Sequence, residues 1–117
     1  MDINTAENQL RALVRKIRSE NATSLVEFCQ NPKTKRNMGV KGCNGTLWIH
    51  FHKEYYDISL SGQSLTKDMK GFMETTFGRK KGNKQSRPEP SHQPFWRVTE
   101  FKSVAIAVYR YAGLKSA

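Results

Sequence analysis

Two histidines in an alternating segment are the first residues of this chain with chemistry to offer. In Thr46 to His52 a strand's period of two sends Leu47, Ile49 and Phe51 one way and Trp48, His50 and His52 the other. Imidazoles on one side of a strand can share a cation, and Cys29 and Cys43 would complete a four-ligand zinc set. The spacing argues against it. Thirteen residues lie between the cysteines, and neither a C-x2-C nor an H-x3-H pair occurs. No metal or other cofactor is expected.

Carboxylates give the enzymatic alternative. Glu100-Phe-Lys102 has the E-x-K form of many metal-dependent nucleases, and Asp57 would supply the second carboxylate. A helix and a long loop are expected between the two, however. Glu100 also falls where the first turn of a helix favours a carboxylate without any catalytic role. With three histidines, no Ser/His/Asp set and no phosphate-cradling glycine loop, the expectation is a non-catalytic protein.

Cations carry the stronger signal. No acidic residue lies between Glu27 and Glu54, where Lys33, Lys35, Arg36, Lys41 and Lys53 fall. None lies between Glu74 and Glu89, where Arg79, Lys80, Lys81, Lys84 and Arg87 fall. A solvated face normally mixes signs, so one-sign blocks point to phosphate contacts, with a solubilising loop as the plainer reading. Arg11, Arg15 and Arg18 add a basic stripe at helical spacing.

The whole chain agrees with those blocks. Its 117 residues suit one domain and carry a net charge of +10. With a pI near 9.9 and a mean hydropathy of −0.71, the chain should attract phosphate-rich polymers. No run approaches the roughly 18 apolar residues of a membrane span, the cationic segments lack apolar anchors, and the N-terminus has no signal-peptide core. A cytoplasmic protein without a membrane role is expected. In that compartment both cysteines are thiols, and the Asn-x-Thr matches at Asn21 and Asn44 carry no glycan.

These residues need elements to position them. Leu10, Leu13, Val14 and Ile17 define an amphipathic first helix, with Asn4 and Glu7 as a capping-box variant and an end near Glu20. Residues 23–29 read as a strand and residues 31–44 as a basic loop broken by Pro32, Gly39 and Gly42. Thr46 to His52 and Tyr55 to Ser61 form a hairpin about Lys53-Glu54. A second helix starts near Ser64 or Thr66, with Leu65, Met69, Phe72, Met73 and Thr76 on one face, and Gly78 ends it. Residues 78–94 hold three prolines, two glycines and five cations and read as a mobile loop. Phe95 to Val98 is a short strand, and Thr99 caps a last helix with Phe101, Val104, Ala105, Val108 and Ala112 inward.

The predicted fold is therefore α+β, with about four antiparallel strands and about three helices mainly on one face. Helix, three strands, helix is also the opening order of a double-stranded-RNA-binding domain. The lysine motif that starts such a domain's second helix is missing, with Lys67 and Lys70 in its place, so no membership follows.

If Leu47, Ile49 and Phe51 face the helices, then Trp48, His50, His52 and Tyr55 lie open and can stack on bases. Trp96 or Arg97 would join them, depending on how the last strand is turned. Alternation alone leaves open which face is the core. The sequence thus predicts a DNA- or RNA-binding protein, with contacts from the 79–87 and 33–41 cations, the arginine stripe, Trp48, His50 and His52. The alternative is a small basic inhibitor or adaptor of phage or mobile-element type, whose charge steers it to a protein partner.

Overall fold

The computed structural model describes residues 2–21, 25–43, 45–84 and 93–114. Helix α1 (Ile3–Glu20) is capped by Asp2, upstream of the expected Asn4. Asp2 Oδ1 accepts the Thr5 N–H at 2.9 Å, and the Thr5 hydroxyl donates to Oδ2 at 3.0 Å. These bonds to the charged form hold the Asp2 carboxyl below its ordinary pKa. Glu7, the expected capping partner, instead pairs with Arg11 at 2.8 Å.

The strands are β1 (Glu27–Gln30), β2 (Asn37–Gly42), β3 (Gly45–Phe51), β4 (Tyr56–Ser59), β5 (Gly82–Lys84) and β6 (Gln93–Val98). Helices α2 (Lys67–Phe77) and α3 (Phe101–Tyr111) complete the α+β fold. All strands pair antiparallel in one six-stranded sheet of order β1-β2-β3-β4-β6-β5, so the expected four strands become six. Four of them precede α2, which also removes the likeness in element order to a double-stranded-RNA-binding domain.

The added strands lie where breakers had suggested loops. In β2, Met38 and Val40 are fully buried opposite Ile49 and Leu47. Gly39 between them faces the other way, beneath Trp48. A Cβ there would come within 2.9 Å of the Leu47 carbonyl oxygen and 3.1 Å of Trp48 Cε3. The glycine is thus a close-approach residue inside a ladder rather than a break. The short β5 takes the start of the expected 78–94 loop as an edge strand; residues 85–92 lie outside the described residues.

Register sorts the sheet into two faces. Met38, Ile49, Ile58 and Trp96 form one cross-strand row, with Phe51, Tyr56 and Val98 beside it. These residues join Leu10, Ile17, Met69, Met73, Val104 and Val108 from the helices in a single buried cluster. Asn37, His50, Asp57 and Arg97 form the corresponding row on the opposite face. Two expected inward residues of the second helix region turn out: Leu65 is 38% exposed and Thr76 is exposed. Helix α3 starts one residue later than expected, with Glu100 rather than Thr99 at its N-cap.

Candidate nucleic-acid interface

The face turned away from the helices is organised by Asp57. This carboxylate is 2% exposed and meets Arg97 twice, from Nε to Oδ1 at 2.9 Å and from Nη2 to Oδ2 at 3.2 Å. His52 Nε2 lies 3.1 Å from the same Oδ2. Those bonds raise the affinity of Arg97 for its proton, so the guanidinium is a fixed cation on this face.

Rings line up beside that carboxylate. His50 and His52 stack with centroids 4.3 Å apart and planes 8° from parallel. His52 stacks in turn on Tyr55 at 4.4 Å, and the Arg97 guanidinium lies 3.8 Å from the Tyr55 centroid. The hairpin sets this order, since the His52 N–H bonds the Tyr55 carbonyl at 2.9 Å and brings both ends of the turn together. Both faces of the His52 and Tyr55 rings are therefore occupied within the protein. The row presents ring edges and polar atoms outward, which suits hydrogen bonding and charge more than base stacking. Trp48, half-buried over Gly39, is a ring on this face that keeps apolar surface exposed.

Cations flank the row on both sides. Beyond Arg97, at the sheet edge, Arg79, Lys80 and Lys81 line a hollow of about 490 Å³ with Phe77, Gly82, Trp96 and Arg97. Backbone pairing holds its wall, from the Lys81 N–H to the Phe95 carbonyl at 2.8 Å. The Trp96 indole donates to the Gly78 carbonyl at 3.0 Å, which fixes the turn after α2. Lys84 continues this edge opposite Gln93, and Arg87 lies outside the described residues.

On the other side, Lys33, Lys35 and Arg36 are exposed in the β1–β2 connection. Asn31 Oδ1 accepts the N–H groups of Lys33 and Thr34 at 2.9 and 3.1 Å, so this loop is an ordered turn. Arg36 Nη1 donates to the Phe51 carbonyl at 3.3 Å, placing the turn beside the hairpin that carries His52. From β2 to β5 there are four inter-strand steps, about 19 Å at ~4.8 Å each.

Other sequence candidates sit elsewhere. Lys41 is exposed, paired with Thr46 toward the far end of the open face. Arg11, Arg15 and Arg18 belong to α1, on the helical side of the sheet, and Arg11 lies 4.0 Å over Phe28 besides pairing with Glu7. Cys29 is in β1 and Cys43 in the β2–β3 turn. Among the described residues, no three His, Cys, Asp or Glu side chains gather as metal ligands, so the two-cysteine, two-histidine set is not assembled. Asp57 is held by Arg97 and His52, and Glu100 is the exposed N-cap of α3.

Sequence reasoning named both Arg97 and Trp96 for this face, and the register selects Arg97. It passed over Phe95, which shares that face and lies 5.9 Å from the Arg97 guanidinium. The alternation of Phe95 and Arg97 against Trp96 and Val98 was the available signal. No described helix is long and apolar enough to cross a membrane. No protein-family model, curated protein or solved structure matches this chain.

Proposed function

We propose that this protein binds nucleic acid, chiefly through its phosphates, across the open face of the sheet. The observation that carries the reading is the hollow shared by Arg79, Lys80, Lys81 and Arg97, which come from two separated segments. Arg97 lines that hollow and also joins the ring row, so it links the open face to a cationic edge that Phe77 and Trp96 place beside the helices. Lys33, Lys35 and Arg36 supply a second set of phosphate contacts across the row, and Lys84 and Arg87 are candidates on the charge of their segment alone. Trp48 offers the apolar surface for a base, and His50 and His52 offer their edges. The net charge of +10 draws any phosphate polymer to this surface.

Replacing Arg79, Lys80 and Lys81 together by Gln tests the reading. Each lost contact to a single strand reduces the slope of log affinity against log salt by about 0.7, so the triple variant should lose about 2 from it. Its melting temperature should stay at the wild-type value, because these side chains are exposed. Unchanged affinity and slope would overturn the placement of the interface.

A further inference from the structure

We propose that the hollow at the sheet edge receives the terminal phosphate of a nucleic-acid strand, a phosphomonoester, rather than one of the diesters within the strand. This rests on the nucleic-acid reading above and names the part of the ligand that the hollow takes.

Shape is the first argument. The segment from Phe77 to Gly82 bends from the end of α2 into β5 and supplies Arg79, Lys80 and Lys81, while Trp96 and Arg97 of β6 form the other wall. Bonds from the Trp96 indole to the Gly78 carbonyl and from the Lys81 N–H to the Phe95 carbonyl hold the bend in place. A segment curved around a hollow turns its charges on one compact group. A strand backbone crossing a flat face instead meets its cations one phosphate at a time. At about 490 Å³ the hollow lies within the ~300–1,000 Å³ of small-ligand sites, room for the phosphate and sugar of a last nucleotide.

Charge is the second. No carboxylate lines the hollow. Among the described residues Arg79, Lys80 and Lys81 form no ion pair, and Lys80 Nζ reaches the neutral Asn83 Oδ1 at 3.2 Å. A diester brings one negative charge to these cations. A terminal phosphate brings about −1.5 to −2 near pH 7, on three free oxygens, and so matches a convergent set better. The end of a helix repels anions through its unbonded carbonyls. At the end of α2 the Glu74 carbonyl accepts the Gly78 N–H at 2.9 Å and the Gly78 carbonyl accepts the Trp96 indole at 3.0 Å, which engages two of them.

The sheet edge adds a backbone donor. Phe95 turns its carbonyl toward β5, where it accepts the Lys81 N–H at 2.8 Å. Two residues on, Arg97 turns its own N–H to the same side, because successive residues of a strand alternate. The pairing of β5 with β6 stops at Gly82 and Phe95, so among the described residues no strand lies opposite Arg97 there. Its N–H is thus directed from the rim of the sheet toward the hollow it lines.

The test measures anisotropy of the full chain with a short mixed-sequence single strand, made as RNA and as DNA. One end carries the fluorophore and the other a hydroxyl or a phosphate, and both polarities are used to separate a 5′-phosphate from a 3′-phosphate. At physiological salt at least one phosphorylated end should bind about 5–10-fold more tightly than its hydroxyl counterpart. That comparison uses the wild-type protein and needs no variant to fold. Arg79→Gln with Lys81→Gln should remove the preference, whereas Lys33→Gln with Lys35→Gln should weaken both strands alike and keep it. The preference should also shrink at pH 5, below the second phosphate pKa of about 6. Equal binding with and without a terminal phosphate, or a preference that survives loss of Arg79 and Lys81, overturns the proposal and leaves the binding reading in place. Failure of every strand to bind overturns both.

Discussion

Replacing Asp57 by Asn removes the charge around which the open face is arranged while leaving its shape almost unchanged. Asp57 accepts two hydrogen bonds from Arg97 and lies against His52, and its side chain is 3% exposed. An amide offers one oxygen where Arg97 uses two, and it turns an NH2 group toward either Arg97 or His52. A charge-assisted hydrogen bond contributes about 1.5–3 kcal/mol when buried. The Arg97 side chain is 34% exposed, so water replaces part of what is lost and the figure must be discounted. A destabilisation of about 2 kcal/mol is expected, and for a chain of this length that lowers Tm by roughly 6–10 °C.

Urea unfolding followed by circular dichroism measures the loss. A double-mutant cycle with Arg97→Gln then isolates the pair, with a coupling of about 1–2 kcal/mol expected. The same variant frees the ring row, so affinity for RNA should fall although no cation has been removed. Stability within about 0.5 kcal/mol of wild type, the range of an ordinary surface substitution, would refute the role given to Asp57.

Gly39→Ala should destabilise by roughly 1–3 kcal/mol, because its Cβ would meet Thr46 Cγ2 at 2.8 Å and the Leu47 carbonyl oxygen at 2.9 Å. A thermal melt checks this, and an unchanged Tm would count against the β2–β3 register. Iodoacetamide should modify Cys43, exposed in its turn, well before Cys29, whose thiol burial pushes up in pKa. Peptide mapping by mass spectrometry reads the order, and equal rates would contradict the partial burial of Cys29. Burial also raises the pKa of Tyr111, whose hydroxyl donates to the Gly45 carbonyl. A raised folded value means that this contribution is complete below the ordinary phenol value near 10 and fades as pH rises through the folded value. Tyr111→Phe should cost about 1 kcal/mol at neutral pH and flatten the alkaline loss of stability, which unfolding curves from pH 8 to 11 will show.

Periodic apolar residues made much of this fold readable. The spacing of Leu10, Leu13, Val14 and Ile17 located α1, and strict alternation from Leu47 to Phe51 located β3 and divided its residues between two faces, without telling which one meets the helices. Where contacts between distant residues decide the outcome, the sequence was silent. Gly39 and Gly42 read as breakers because the rings that cover them, Trp48 and Tyr111, come from other elements. β5 is three residues with no apolar pattern, and only its pairing with β6 makes it a strand. Asp57 could be read as half of a metal pair because its true neighbour, Arg97, is forty residues away and joined to it by register. The blocks of positive charge were plain in the sequence. Their convergence with the His52–Tyr55 row was not, since it depends on strand order.

Salt dependence of binding tests the central claim most directly. Anisotropy with labelled single- and double-stranded DNA and RNA, taken from low to physiological salt, reads both the preferred strand and the number of phosphate contacts. Engagement of the cations on both sides of the row gives four to six contacts, a log–log slope of about −3 to −4 on a single strand. Single strands should bind more tightly than duplexes if Trp48 takes a base. A slope near zero, or no binding at the lowest salt, would contradict the account and turn attention to a protein partner for the same charged surface.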